Sequence, residues 1–392
     1  MKSYYFDYNA TTPIASEVFE AMLPYFTEHF ANPSSQHHLA RIPARAVREA
    51  RKHVAALLGA ADESEILFTS GGTESNNTAI RSALALNPGK NEVVTSTVEH
   101  SSIRKLCYQL RKEGYVVREV GVDTDGNLNF NQLLEVLSER TAVCSLMMAN
   151  NETGVLFPIE KIGALVKERG ILFHVDAVQA AGKIPISLKN NFIDFLSLSA
   201  HKIYGPKGIG ALYVKNETPF RSFIFGGSQE RGRRAGTENV TSIVGLGAAS
   251  QLAQKELAYK PAQIANLRSE FENKIFYRVA GVTINGGRAE RLPNTSNLSF
   301  EQVDSEALLL VLDQKGVCAS SGSACMSGSL EPSYVLKAMG LSDPCANSAI
   351  RFSFGRLTSP AEIEEALEMI VTTVAHLRSL GPKGENSHTP RH

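Results

Sequence analysis

The chain has 392 residues, of which 43% are hydrophobic and 20% are charged, so it has ample apolar material for a packed core and too much for a disordered chain. At about 100 to 200 residues per domain, this length predicts two domains and excludes a solitary small binding module. Lys and Arg together number 40, as do Asp and Glu, so the net charge offers no attraction to nucleic acids or anionic membranes. We therefore expect no nucleic-acid partner and no membrane partner.

No stretch approaches the roughly 18 to 20 apolar residues of a membrane-spanning helix, and the start of the chain, MKSYYFDYNATTP, lacks the regions of a signal peptide. A cytoplasmic location is the resulting expectation. The cysteines are dispersed and form no CxxC pair, which fits neither a disulfide framework nor a zinc ribbon. They are Cys107, Cys144, Cys318, Cys325 and Cys345. We expect free thiols and no metal site.

Between residues 65 and 215, short β-branched runs alternate with amphipathic stretches. The strand-like runs include EILFTS, NEVVTS, YVVREV, TAVCSLM, ILFHVD, FIDFLSLS and GALYVK. This alternation is typical of βα units and predicts an α/β fold, a mostly parallel sheet with helices on both faces. Because ligands bind at the carboxyl ends of strands in such sheets, the polar clusters there are the candidates for chemistry.

Beyond Thr237 the pattern changes to helix-compatible sequence over residues 240–280, with Pro261 inside it. The shorter runs GVTINGG, NTSNLSF and AIRFSFG follow, together with a Ser/Gly-rich loop at 319–329. This part predicts a second, smaller α+β domain that a long helix joins to the first.

The run LFTSGGTESNN places Gly71, Gly72 and Thr73 between a predicted strand and a predicted helix. Free N–H groups and the dipole at a helix N-terminus form a site for phosphate. A plain helix cap by Ser70 or Thr73 is equally compatible with this run. No Walker lysine follows, which argues against a nucleoside triphosphate.

Two further polar clusters follow apolar strands. Asp176 ends the run ILFHVD, where an ionised carboxylate needs a cationic partner, although it could also cap the next turn. The next apolar strand is followed by a cluster of Ser199, His201 and Lys202. A lysine at the end of a buried strand rarely lies there only to be solvated, because lysines are almost never fully buried without a partner.

A helix N-terminus, a carboxylate and an amine together match pyridoxal phosphate, which carries a phosphate, a pyridinium nitrogen and an aldehyde. Lys202 is then expected to form the Schiff base and Asp176 to keep the ring nitrogen protonated. His100 is placed to stack on the ring, and Asn151 and Gln179 could bond it. Each of these three could instead be a structural or capping residue.

A second cluster lies in the loop SSGSACMSGS, where Cys325 has small polar neighbours. Free cysteines are usually buried small hydrophobes, as expected for Cys107 and Cys144, so the setting of Cys325 favours a nucleophilic thiol on a mobile loop. Arg351, in a strand-like run, could clamp a carboxylate with both arms of its guanidinium or form a surface ion pair.

The ordered series of motifs resembles the pyridoxal-phosphate-dependent cysteine desulfurases of the class-V aminotransferase type, over nearly the whole chain. The motifs are YFDYNATTP near the start, NPSS at 32–35, SGGTESNN at 70–77, VEH at 98–100, NNETG at 150–154, HVDAVQ at 174–179, SAHKIYGPKG at 199–208, RAGTEN at 234–239, SSGSAC at 320–325 and IRFS at 350–353. The run GTEN and the cysteine loop are most similar to the nitrogen-fixation type.

The resemblance implies a fold-type I enzyme that forms a homodimer. Its large domain, over residues 15–258, is expected to contain a mixed, mostly parallel seven-stranded sheet. Residues 1–14 and 259–392 are expected to form the small domain that carries the mobile cysteine loop at about 319–329.

The resemblance also implies a role for each matching residue. Lys202 corresponds to the cofactor lysine, Asp176 to the partner of the ring nitrogen and His100 to the stacking and acid–base residue. The other implied roles are phosphate binding by Gly72, Thr73, Ser199 and His201, contact of Thr237 with the phosphate in the other subunit, ring binding by Asn151 and Gln179, carboxylate binding by Asn32 and Arg351, and persulfide formation on Cys325.

The implied reaction converts L-cysteine to L-alanine and passes the sulfur, as a persulfide, to an acceptor protein such as an iron–sulfur scaffold. An aminotransferase or a selenocysteine lyase would share Lys202 and Asp176, and an aminotransferase would not need Cys325. A non-catalytic scaffold that only holds the cofactor is the alternative from a different class of protein.

Overall fold

The computed structural model describes residues 2–189, 191–322 and 331–380. Cys325, the predicted nucleophile, and most of the predicted loop at 319–329 lie outside the described residues. Within those ranges the strands form sheets of seven, three and two strands.

The seven-stranded sheet is the centre of the molecule. Its strands are β2 (Ile66–Thr69), β3 (Glu92–Ser96), β4 (Val116–Val120), β5 (Thr141–Met147), β6 (Leu172–Asp176), β7 (Phe195–Ser199) and β8 (Gly210–Val214), in the spatial order β2-β8-β7-β6-β5-β3-β4. Only β8 runs antiparallel to its neighbours. The predicted mixed, mostly parallel seven-stranded sheet is confirmed.

Helices cover both faces of this sheet, and others support the smaller sheet. They are α1 (Ser16–Met22), α2 (Pro24–Thr27), α3 (Arg41–Leu58), α4 (Gly72–Leu86), α5 (Ser101–Lys112), α6 (Phe130–Val136), α7 (Ile159–Glu168), α8 (Val240–Glu256), α9 (Lys260–Arg278), α10 (Ser305–Gln314), α11 (Tyr334–Ala338), α12 (Asp343–Asn347) and α13 (Pro360–Leu380). Short 3₁₀ helices lie at His38–Ala40, Glu63–Glu65, Ala200–Lys202 and Gln229–Gly232.

Burial explains why the central strands read as continuous apolar runs. Every residue of β5 and of β7 is buried, as expected for strands with helices on both sides. On one face, α5 buries Ile103, Leu106 and Leu110, which lie at helical spacing. Cys107 and Cys144 are buried as expected, and burial raises the pKa of the Cys107 thiol to about 12.

The helix-compatible sequence over residues 240–280 forms two long helices. Helix α8 ends at Glu256 and α9 begins at Lys260. Pro261 lies in the first turn of α9, where its missing N–H has no intrahelical acceptor and its fixed φ suits the helix. Pro261 therefore marks a helix start.

The smaller sheet is antiparallel, in the order β12-β10-β9, and comprises β9 (Val282–Ile284), β10 (Thr295–Phe300) and β12 (Ala349–Ser353). Beside it, β1 (Tyr4–Tyr5) pairs in parallel with β11 (Val317–Cys318). A separate apolar cluster surrounds these strands and includes Phe6, Phe271 and Phe352. The exact domain boundaries given above stay a prediction.

Across the part of the chain that the structure describes, no helix combines the length and apolar character needed to cross a bilayer. The same residues contain no group of three or more His, Cys, Asp or Glu side chains arranged to hold a metal ion.

Candidate active site

A pocket lies at the edge of the central sheet where the parallel strands β5, β6 and β7 end. It brings together most of the predicted site residues, namely Gly72, Thr73, His100, Asn151, Asp176, Gln179, Ser199, His201 and Lys202. It is also lined by residues that were not predicted, namely Ala10, Asn76, Ser102, Met147, Ala149 and Val178. The topology of the sheet therefore gathers side chains that lie far apart in sequence.

One end of the pocket is formed by the N-terminus of α4. Gly71 precedes the helix with φ 152°, a backbone angle that side chains disfavour. A Cβ atom on Gly72 would lie 2.7 Å from Val178 Cγ2, so glycine is also required there for space. The turn leaves backbone N–H groups and the helix dipole directed at the pocket, which suits a phosphate.

A second polar anchor of the pocket is Asp176, at the end of β6. Its Oδ2 atom accepts a hydrogen bond from Asn76 Nδ2 at 2.7 Å, and Oδ1 accepts one from the backbone N–H of Val178 at 3.0 Å. Only 5% of Asp176 is exposed. Two donors thus hold the carboxylate in one orientation at the pocket wall.

Lys202 reaches the pocket from the 3₁₀ helix that follows β7. Its Nζ atom donates to the carbonyl oxygens of Asn9 and Ala10, at 2.6 Å and 2.7 Å. These carbonyls belong to the N-terminal segment, so the beginning of the chain fixes the position of the amine. The motif near the N-terminus contributes to the site through its backbone.

The two histidines of the pocket have different hydrogen-bond partners. Burial, reinforced by the charge of Lys202, lowers the pKa of His201 to about 4, so its imidazole is neutral near pH 7 and its Nδ1 atom lies 3.2 Å from Thr11 Oγ1. His100 accepts a hydrogen bond from the Ser102 backbone N–H on Nδ1, at 3.2 Å. In neutral His100 this places the proton on Nε2.

Two acceptors beside the pocket are buried without a hydrogen-bond partner among the described residues. They are Asn76 Oδ1 and Asn151 Oδ1, and both residues line the pocket. Buried polar atoms in native proteins are nearly always paired, so unpaired ones at a pocket indicate that a polar ligand completes them. Together with Lys202, Asp176 and the α4 N-terminus, this set of donors and acceptors fits pyridoxal phosphate.

Of the predicted residues that lie in the described part of the chain, three do not line this pocket. Asn32 and Thr237 are exposed, and Asn32 Oδ1 accepts from the Ser34 backbone N–H at 2.8 Å. Arg351 is buried beside the pocket, where it donates to Asp7 at 2.7 Å and to the Asn151 carbonyl at 3.0 Å. Its guanidinium therefore already holds a carboxylate of the protein.

The structure also supplies polar residues that the sequence reasoning missed. Asn76 orients Asp176, Asn9 contacts Lys202, and Lys183 contacts both Asn9 and Gln179. Asn9 lies in the motif YFDYNATTP and Asn76 in the motif SGGTESNN. Their presence in motifs already assigned to the site was the signal that could have identified them. Nothing in the sequence pattern around Lys183 pointed to the site.

Glu99 was missed as well. Its side chain is fully buried, and burial raises its pKa to about 8, with the charge of Asp176 adding to the effect. Its Oε1 atom accepts from Ser96 Oγ at 2.6 Å and from the Met147 backbone N–H at 3.0 Å. A protonated carboxyl therefore lies behind the pocket wall at neutral pH.

Comparison with known proteins identifies the family of this fold and site. The family model described as aminotransferase class-V matches residues 4–366. A cysteine desulfurase from Nostoc sp. is 50% identical over 97% of this chain and 95% of its own length. The cysteine desulfurase NifS of Azotobacter vinelandii is 47% identical over the same shares.

The fold agrees with the sequence comparison. A solved structure described as a NifS-like protein superposes with a TM-score of 0.90 at 34% identity, covering 96% of this chain and all of the other. The chain therefore belongs to the class-V aminotransferases and, within them, to the cysteine desulfurases. The predicted family, fold class and enzyme class are confirmed, whereas the individual site residues remain predictions.

Proposed function

We propose that the chain uses pyridoxal 5′-phosphate to convert L-cysteine to L-alanine and to transfer the sulfur as a persulfide on Cys325. The observation that carries this proposal is the convergence of Lys202, Asp176 and the α4 N-terminus on one pocket that contains unpaired acceptors. The membership in the cysteine desulfurase family supports the choice of L-cysteine as substrate.

The chain offers a partner for each part of the cofactor. Gly72, Thr73, Ser199 and His201 lie where they could hold the phosphate. Asp176 would pair with the ring nitrogen and Lys202 would bind the aldehyde carbon. His100 would stack on the ring, with Asn151 and Gln179 at its edge.

When bound, pyridoxal phosphate withdraws electrons from the substrate α-carbon. Lys202 then acts as the group that takes the α-proton and returns it, because its amine is held by the Asn9 and Ala10 carbonyls at the pocket. His100 Nε2–H is available as a second proton donor, and the neutral imidazole of His201 can donate a hydrogen bond without adding charge.

The substrate carboxylate is assigned to Arg351 and Asn32. Arg351 Nε is buried and has no partner among the residues that the structure describes, and its terminal nitrogens bond Asp7 and Asn151. A substrate carboxylate would replace or share the Asp7 contact. A bidentate contact with the planar guanidinium would also fix the direction of the amino acid.

The sulfur step is assigned to Cys325. Its thiolate attacks the sulfur of the substrate, so a Cys325 S–S bond forms as the substrate C–S bond breaks, and the carbon takes a proton to become alanine. A reducing thiol or an acceptor protein then removes the persulfide sulfur. Ser320 exchanges backbone hydrogen bonds with Arg351, so the segment that leads to Cys325 starts beside the site.

We further propose a homodimer. Large apolar side chains between residues 19 and 39 are exposed in the single chain, and such clusters mark interaction surfaces. They are Phe19, Leu23, Phe26, Phe30 and Leu39. A second copy that covers this region would also explain how the exposed Thr237 could contact the phosphate of the other subunit. Sedimentation as a monomer would contradict this part.

The acceptor is proposed to be a sulfur carrier or an iron–sulfur scaffold protein, as the kinship with NifS suggests. The cytoplasm is the proposed location, because free thiols such as Cys318 and Cys345 are typical of a reducing compartment.

The experiment measures alanine and sulfide from L-cysteine in the presence of a reductant, while the visible band of the cofactor is recorded. Cys325→Ala should keep the band and lose at least about 100-fold in sulfide release, because the nucleophile is gone. Lys202→Ala should lose both the band of the lysine-bound cofactor and turnover. Cys345→Ala, at an exposed cysteine, is the matched control and should resemble wild type. Equal sulfide release by Cys325→Ala and wild type would exclude the persulfide route.

A further inference from the structure

Lys183 lies next to the proposed cofactor lysine but has no role in the reaction described above. It follows the turn after β6, and its Nζ atom donates to Asn9 Oδ1 at 3.0 Å and to Gln179 Oε1 at 2.8 Å. Asn9 is shared, since its backbone carbonyl accepts from Lys202 at 2.6 Å. The two lysine amines therefore contact different atoms of the same asparagine.

Both contacts of Lys183 suit an uncharged amine. A neutral amine has two N–H groups, and two carbonyl-type oxygens accept them. Burial lowers the pKa of Lys183 well below its ordinary value, and the charges of Lys202 and Arg351 lower it further. The contacts with Asn9 and Gln179 make Lys183 a hydrogen-bond donor at this place.

The remaining charged groups near Lys183 line a second cavity. They are Glu256, Lys260 and Arg356, and Lys183 and Lys202 also line that cavity. Arg356 and Glu256 pair with each other at 3.2 Å. No carboxylate hydrogen bond to Lys183 appears among the described contacts, so nothing there favours its protonated form.

The Gln179 amide is held at both ends. Its Oε1 atom accepts from Lys183, and its Nε2 atom donates to the Asn9 carbonyl at 3.0 Å. An amide with its oxygen engaged in this way can offer the pocket only its second N–H. Turning the amide over would bring Oε1 against the Asn9 carbonyl oxygen, two acceptors with no proton between them, and would remove the oxygen to which Lys183 now donates.

We propose that Lys183 is a positioning residue that fixes the Gln179 amide so that the pocket receives an N–H donor and not a carbonyl oxygen. This inference rests on the proposed function, because the group that would accept this N–H is the ring oxygen of pyridoxal phosphate. An N–H donor at this place would favour an anionic oxygen on the edge of the cofactor ring next to Lys202. Lys183 contacts neither substrate nor cofactor in this role and acts through Gln179 and Asn9.

The test is a double-mutant cycle with Lys183→Met, Gln179→Leu and the double variant. The apoenzyme is titrated with pyridoxal 5′-phosphate, and the pH midpoint of the visible band of the holoenzyme is measured. Lys183→Met should weaken cofactor binding about 5- to 10-fold. Its pH midpoint should rise by about half a unit to one unit, since an N–H donor to an anionic oxygen favours loss of the proton from the bound group. The double variant should resemble Gln179→Leu alone, because Lys183 acts through the Gln179 amide and has nothing to position once that amide is gone.

Two further variants separate positioning from general damage. Lys183→Gln keeps a neutral donor and should recover part of the binding and of the midpoint, and it serves if Lys183→Met folds poorly. Lys260→Met changes a lysine of the same cavity that bonds neither Asn9 nor Gln179 in the described contacts, and it should leave both values unchanged.

Three results would each overturn the inference. They are additive effects of Lys183→Met and Gln179→Leu, cofactor binding by Lys183→Gln that is no better than by Lys183→Met, and an unshifted pH midpoint of the visible band in Lys183→Met. In all three cases a wild-type enzyme that binds cofactor and releases sulfide leaves the proposed function intact. A wild-type enzyme that binds no pyridoxal 5′-phosphate would overturn both.

Discussion

Two regions of the central domain bury charge in different ways. On the β2 side, Arg51 and Glu230 form a bidentate ion pair with distances of 2.6 Å and 2.7 Å. The Ile66 carbonyl accepts from Arg51 at 2.6 Å, and the Phe68 backbone N–H donates to Glu230 at 3.1 Å. The ion pair thus has backbone partners at both of its ends.

The active-site pocket is also polar and buried, yet its partners are incomplete. Asp176 is held by Asn76, while the Oδ1 atoms of Asn76 and Asn151 have no partner within the described residues. A polar cluster that satisfies itself stabilises a fold, whereas one that leaves acceptors open is organised for a ligand. This contrast leads to different expectations for mutations at the two places.

The largest effect is expected for Asp176→Ala. Turnover should fall at least about 100-fold, because the ring nitrogen loses its carboxylate partner and the cofactor withdraws fewer electrons. Steady-state alanine release, normalised to bound cofactor, measures this loss. As a control, the free energy of unfolding in urea should change far less than the turnover rate. A variant that retains full turnover would contradict the role of Asp176.

The opposite pattern is expected for Glu230→Ala. Removing one partner leaves Arg51 buried and uncompensated, so the free energy of unfolding should fall by about 3 to 5 kcal/mol. Urea unfolding of the apoenzyme measures the change. The molecules that remain folded should bind cofactor as wild type does, and a selective loss of cofactor binding would break the distinction between the two regions.

A smaller and more selective effect is expected for Asn151→Ala. Cofactor affinity should fall about 10-fold, because one ligand contact disappears. Stability of the apoenzyme should stay constant or rise by up to about 1 kcal/mol, since the unpaired Oδ1 atom is removed. Two measurements on the same preparation check the expected directions. A titration with pyridoxal 5′-phosphate measures the loss of cofactor affinity, and a urea unfolding curve measures the stability of the apoenzyme. Apoenzyme that becomes markedly less stable would argue that Asn151 is structural.

The last prediction concerns Glu99→Gln, whose effect shows only in how stability changes with pH. Because the folded-state pKa of Glu99 is raised to about 8, the folded protein holds a proton that the unfolded chain releases above about 4.5. Between these values this group makes stability fall as pH rises, with a slope on the order of 1 kcal/mol per pH unit. Glu99→Gln should remove that slope. Urea unfolding at pH 5 and pH 8 tests this, and an unchanged difference between the two pH values would contradict a protonated Glu99.

Much of the fold and the site could be predicted because they depend on local patterns. Apolar strand runs and glycine turns predicted the sheet and the α4 N-terminus, and polar residues at or just beyond the strand ends predicted Asp176 and Lys202. The sequence left the boundary between the two helices near Pro261 open, because proline is compatible both with a helix start and with a kink.

The sequence by itself determined which side chains end the parallel strands, since alternation and strand ends are properties of neighbouring residues. Only the tertiary structure decided which distant groups complete the site. Asn9 comes from the N-terminus, Lys183 from the turn after β6, and Arg351 from β12 of the smaller sheet. Their contacts bridge up to 344 positions along the chain, and no local pattern encodes pairings of that range.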